Sequence, residues 1–172
     1  MERTRMDDPQ RGAGAGKANE AGLQGGPTEE RALPIRTFCH RYGEQRLTLP
    51  ERVTLIATTI TGESKATTDS ALWDTGANRS TISTRMADRL GVDYVTEDGA
   101  EIDNFNGLEY VGTAWIWMEF DGLRTSLTPV SVGRFKEGGL HPEVLIGMDI
   151  ISQGRLTVDS TSGETVLTFE LP

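Results

Sequence analysis

From Leu33 onward, short apolar runs closed off by turn residues set the rhythm of this chain. Val53-Thr54-Leu55-Ile56-Ala57-Thr58-Thr59-Ile60 is β-branched, partly alternating and stops at Thr61-Gly62, which predicts a strand. Ala71-Leu72-Trp73 is a shorter apolar strand that runs into Asp74, and Ser80 to Ser83 leads out again. Thr84 to Leu90 reads as a short helix, with Thr84 as its N-cap and Gly91 as its stop. Asn104-Phe105-Asn106-Gly107 stands between Ala100–Asp103 and Leu108–Val111, and Asn-Gly is a favoured tip for a tight hairpin. Further strands are predicted over Thr113–Phe120, Ser126–Val132 and Glu143–Ile146, followed by a short helix over Ile150–Gln153. Leu156–Asp159 and Thr165–Phe169 close the chain around a Ser162-Gly163 turn. So many short strands at near-regular spacing, with one or two short helices, predict an all-β barrel or sandwich.

Composition divides the chain. Residues before Leu33 are rich in Gly, Ala, Gln and charge and have little to bury, so 1–32 is expected to be a disordered tail and 33–172 a single domain. Gly12 to Lys17 resembles a phosphate loop only superficially, because Ala18 stands where Ser or Thr is required and no strand precedes it. The formal net charge of -9 speaks against nucleic acid as a partner, since phosphate binding needs a concentrated basic surface. Cys39 is the only cysteine, which excludes an intrachain disulfide and a Cys-rich zinc site. With two histidines, a metal cluster has little support either. The first residues form no apolar leader and no stretch approaches the ~20 apolar residues of a membrane span, so a cytoplasmic location is expected.

The chemistry concentrates at Asp74-Thr75-Gly76-Ala77. A carboxylate directly after a buried strand sits where a fold can desolvate it, and the Gly lets other backbone approach closely. About 70 residues later, Val144-Leu145-Ile146-Gly147-Met148-Asp149-Ile150-Ile151 supplies a second apolar strand ending in Gly before a helical run. Asp149 is read as a helix N-terminal Asp favoured by the helix dipole. Trp115 and Trp117 share one face of a strand opposite Ile116, so one of the two faces is expected to be core. Cys39 and His40 are neighbours that point apart on an extended chain and form no nucleophile–base pair.

In order and spacing, Ala71 to Ala77, Ser80 to Ser83 and Val144 to Ile151 resemble the retropepsin-like aspartic proteases, and the likeness spans roughly residues 37 to 172. The resemblance implies an acid-protease barrel with one lobe per chain. It implies that Asp74 is the catalytic carboxylate that activates water. Thr75 would bond across a dimer axis, and Gly76 would offer its carbonyl to the substrate backbone. Ala77 and Asn78 would line the peptide site, and Asn104, Phe105, Asn106 and Gly107 would form a flap over it. No metal or organic cofactor is implied. Peptide hydrolysis by carboxylates needs two of them sharing a proton, and this chain carries a single Asp-Thr-Gly. The implied enzyme is therefore a homodimer in which Asp74 of each chain meets on a twofold axis, with polypeptide as substrate. The alternative is a non-catalytic retropepsin-like dimerisation or peptide-binding module. Asn78 and Arg79 stand where viral members usually carry acidic or polar residues, and Met148-Asp149 where they often carry Arg-Asn.

Overall fold

The computed structural model describes residues 34–94, 108–135 and 142–172. The expected tail over 1–32 and the expected flap tip, Asn104 to Gly107, lie outside the described residues.

A long antiparallel hairpin begins the barrel. Strands β2 (Leu49–Thr59) and β3 (Gly62–Trp73) pair from Leu49↔Trp73 to Thr59↔Gly62 around a two-residue turn. β3 then runs parallel to β8 (Val144–Ile146), and β4 (Thr81–Ser83) lies antiparallel to β8 and parallel to β7 (Thr128–Phe135). β7 pairs antiparallel with β5 (Leu108–Phe120), and β5 returns to β2 through Thr54↔Glu119 to Ile56↔Trp117. The order β2-β3-β8-β4-β7-β5 thus closes on itself, which removes its sheet edges. A short β6 (Leu123–Arg124) folds back on β5 through Asp121-Gly122. Both turn residues have positive φ, 45° and 84°, as the tightest hairpin turns demand.

β1 (Arg36–Arg41), β10 (Val166–Leu171) and β9 (Arg155–Asp159) form a second sheet in the order β1-β10-β9. Its inner face carries Phe38, Leu167, Phe169 and Leu171, which join the barrel core. An aromatic cluster marks this junction. Trp73 stacks on Phe120 at 4.9 Å between ring centroids and meets Phe169 edge-on at 5.2 Å. Such pairs contribute ~1 kcal/mol each beyond the area they bury. Trp73 ends β3, so the packing of the two sheets fixes the strand end from which Asp74 emerges.

A buried polar group lies at the same junction. Glu51, 4% exposed, accepts from the Arg52 amide at 2.8 Å and from Trp73 Nε1 at 3.4 Å. His40 Nδ1 on β1 lies 3.0 Å from both of its oxygens. A buried carboxylate held this way costs little, whereas one stripped of its partners would be expensive. His40 also stacks on Tyr42, whose hydroxyl is buried without a partner among the described residues. Burial, together with the nearby Glu51 charge, pushes the Tyr42 phenol well above its ordinary pKa.

Three local expectations are corrected. Helix α1 (Thr84–Leu90) is capped by Ser83, whose side chain accepts from the Met86 amide, and Thr84 is already helical. Gly91 does stop it, in the left-handed conformation at φ 63°. The strands expected over Leu108–Val111 and Thr113–Phe120 are one strand, irregular between Tyr110 and Gly112. The second helix, α2, is Met148–Ile151 and starts directly after Gly147. On β5, Ala114, Ile116, Met118 and Phe120 face the core, while Trp115 is 59% exposed.

Candidate active site

Asp74 to Ser80 is the connection that leaves β3 and re-enters the barrel as β4. Two parallel strands, β3 and β8, end side by side here, so the loop after each meets the loop after the other. The Asp74 amide donates to the Ile146 carbonyl at 2.9 Å, which extends the β3–β8 ladder to the carboxylate-bearing residue itself. Asp74 Oδ1 accepts the Gly76 amide at 2.9 Å, and the Ala77 amide returns to the Asp74 carbonyl at 3.2 Å. From the other side, the Met148 amide donates to the Ala77 carbonyl at 2.8 Å. The loop is therefore pinned at its start and in its middle. Asp74 and Ala77 are half-buried, and Thr75, Gly76 and Asn78 are exposed.

The far end is held by a network that sequence reading missed. Ser80 has no solvent exposure. Its amide lies 2.9 Å from both oxygens of Asp149, and its hydroxyl donates to Asp149 Oδ1 at 2.6 Å. The same hydroxyl accepts the Gly147 amide at 2.8 Å, and Asp149 Oδ1 also accepts the Ile150 amide. Asp149 does occupy the first turn of α2, but its carboxylate also serves as a brace for the Asp74 loop. The two residues lie 69 positions apart, so only the position of Asp149 after the second apolar-Gly element could have hinted at it.

Gly147 is required by space rather than by dihedral angle. Its φ of -93° suits any residue. A Cβ there would stand 2.6 Å from the Arg79 carbonyl carbon and 2.8 Å from Ser80 N, both backbone atoms that cannot swing aside. Gly147→Ala is expected to destabilise the domain by about 1–3 kcal/mol, the usual cost of overpacking, and to displace the loop. A thermal-denaturation midpoint equal to that of wild type would contradict this account of the crossing.

The all-β barrel with two short helices is what the acid-protease resemblance led us to expect. The sequence model of the family described as "gag-polyprotein putative aspartyl protease" matches residues 56–153, from β2 through α2. The chain belongs to this family. It is a retropepsin-like aspartic protease chain by family, folded as an all-β barrel with two short helices. That match takes in both the Asp74 loop and the Gly147–Asp149 crossing.

Among solved structures, a retropepsin-like aspartic protease from Rickettsia conorii is similar at 12% identity, covering 81% of this chain and 95% of that one, with a TM-score of 0.49. The retroviral protease-like domain of Ddi1 from Leishmania major is similar at 18% identity, with 72% and 94% covered and a TM-score of 0.43. The EIAV protease, solved with the inhibitor HBY-793, is similar at 23% identity, with 63% and 88% covered and a TM-score of 0.40. No curated protein sequence matches the chain. Among the described residues, no helix is long and apolar enough to cross a membrane.

Proposed function

We propose that this chain is half of a homodimeric aspartic endopeptidase, with 33–172 as the protease domain and Asp74 as the catalytic residue of each half. The observation that carries the reading is a half-buried carboxylate, at the end of a core strand, on a loop pinned by Ile146 and Met148. Such pinning is what catalysis by positioned groups requires. Asp149 has its oxygens engaged by Ser80 and Ile150, whereas Asp74 commits only Oδ1, to the Gly76 amide, among the described residues, which favours Asp74 as the carboxylate that does the chemistry.

In the dimer, Asp74 of one chain faces Asp74 of a second copy. Like charges ~3 Å apart cannot both ionise, so the pair holds one proton between them. The ionised carboxylate takes a proton from a water as its oxygen bonds to the peptide carbonyl carbon. The protonated carboxyl gives its proton to the carbonyl oxygen, producing a tetrahedral diol. Collapse of the diol breaks the C–N bond as a proton passes to the leaving amine. Thr75 of each chain bonds across the axis, the Gly76 carbonyl holds substrate backbone, and Ala77 and Asn78 line the peptide. The segment Asn104 to Gly107 closes over it and excludes water. Extended peptides with apolar side chains at the scissile bond are the substrates.

A pepstatin-like transition-state mimic distinguishes this enzyme from a non-catalytic dimerisation or peptide-binding module. Tight binding to wild type that weakens by at least ~100-fold in Asp74→Asn is expected of the enzyme. Equal affinity for both proteins, or no binding to either, would favour the module.

A further inference from the structure

Arg79 differs from every other cation in the described structure. Each of the other lysines and arginines among the described residues holds a carboxylate or a backbone carbonyl, from Arg36 on the Arg124 carbonyl to Arg155 on Glu170. Arg79 is exposed and holds neither among the described residues. In a protein of net charge -9, carboxylates are plentiful, so a guanidinium without one among the described residues is not a matter of supply.

Its backbone, in contrast, is fixed on both sides. The Arg79 carbonyl packs so closely over Gly147 that a Cβ there would lie 2.8 Å from the oxygen. The next amide, that of Ser80, is bonded to the Asp149 carboxylate. A long, charged side chain with no partner among the described residues is thus displayed from a rigid point on the loop that begins at Asp74.

We propose that Arg79 selects peptides carrying a carboxylate side chain a few residues from the scissile bond, an inference that rests on the proteolytic reading of Asp74. Arg79 lies five positions after Asp74, a span of at most ~18 Å if fully extended. The loop doubles back through the Ala77 amide on the Asp74 carbonyl, so the true span is shorter. A bound peptide in extended form advances ~3.3 Å per residue, which places Arg79 alongside a substrate position within about five residues of the bond being cut. The planar guanidinium fork matches a carboxylate in two-point geometry and stays charged at every working pH. The twofold axis of a homodimer supplies one Arg79 on each side of the bond, so the preference extends to both. The net negative charge of the rest of the protein repels acidic peptides, and the attraction therefore has a local source.

Matched peptides that differ only by glutamate against glutamine, placed two to five positions from an apolar cleavage site, test this. Wild type is expected to cleave the glutamate peptide with a kcat/KM roughly threefold to tenfold above its amide isostere, less so at high salt. In Arg79→Ala the ratio falls to about one, and in Arg79→Glu a lysine peptide overtakes both. Asp74-dependent cleavage with the same ratio in wild type and Arg79→Ala overturns the inference and leaves the proposed function standing. Absence of any Asp74-dependent cleavage overturns the proposed function instead. The same peptides, fluorescently labelled and titrated into Asp74→Asn and Asp74→Asn/Arg79→Ala proteins, then judge Arg79 alone. Glutamate-selective binding that disappears with Arg79 supports its role, and selectivity absent or indifferent to Arg79 sinks it.

Discussion

Asp74→Asn is expected to abolish peptide cleavage while leaving the barrel folded. Asparagine has the shape of aspartate and retains an oxygen at Oδ1, the atom that accepts the Gly76 amide at 2.9 Å. The loop bonds from Asp74 N to Ile146 and from Met148 N to Ala77 use backbone alone and survive the change. What disappears is the group that takes a proton from water, and the loss of a general base costs roughly 10²–10⁴-fold in rate. In a homodimer the substitution removes both carboxylates at once, so the loss is at or beyond the upper end of that range. Thermal unfolding should stay within about 1 kcal/mol of wild type, as for a substitution that makes no cavity and strands no buried partner. Turnover and stability are thus predicted to separate cleanly at this residue. A kcat/KM within a few-fold of wild type would remove Asp74 from the mechanism.

Asp149→Ala is the opposite case, in which stability and turnover fall together. The side chain touches no substrate in our reading. It accepts the amide and hydroxyl of Ser80, a residue with no solvent exposure, and the amide of Ile150. Truncation leaves the Ser80 amide buried without a partner, which costs about 1–3 kcal/mol, with a further contribution from the lost charge-assisted hydroxyl bond. For a domain of this size that lowers the unfolding midpoint by roughly 3 °C per kcal/mol. The Asp74 loop also loses its far anchor, and a misplacement of about 1 Å costs on the order of 10²-fold in rate. Asp149→Asn keeps one acceptor toward Ser80 and should recover part of both losses. Differential scanning calorimetry and kcat/KM on the three proteins make the comparison. Full stability with full loss of activity in Asp149→Ala would point to a direct chemical role and contradict the brace.

The parts of this structure that were legible in the sequence are those whose signal is local. Ala71-Leu72-Trp73 announced a buried strand, Asp74-Thr75-Gly76 a tight loop, and Val144 to Gly147 a second strand of the same kind, and all three lie where the reading placed them. β1 was not legible. Only Phe38 of its six residues is buried, and its partner strand stands at the opposite end of the chain, Arg36 opposite Leu171. Most of β3 was hidden for a related reason, because Gly62 to Ser70 turns only Ala66 and Thr68 inward and otherwise reads as polar loop. Helix α1 was found with the wrong cap, since Ser83 and Thr84 are both good N-caps and only the fold decides which side chain reaches the Met86 amide. The Ser80–Asp149 brace and the Glu51–His40–Trp73 cluster are tertiary polar contacts, with no periodicity along the chain to betray them.

Asp74 as half of a shared site is tested most directly by mixing chains. Wild-type and Asp74→Asn chains are unfolded and refolded together in equal amounts, and peptide cleavage is measured per wild-type chain. Random pairing leaves only about a quarter of dimers with two Asp74 carboxylates, so activity per wild-type chain should fall to about half, and further as the inactive chain is raised. Constant activity per wild-type chain at every mixing ratio would show that each chain works alone and contradict the shared site.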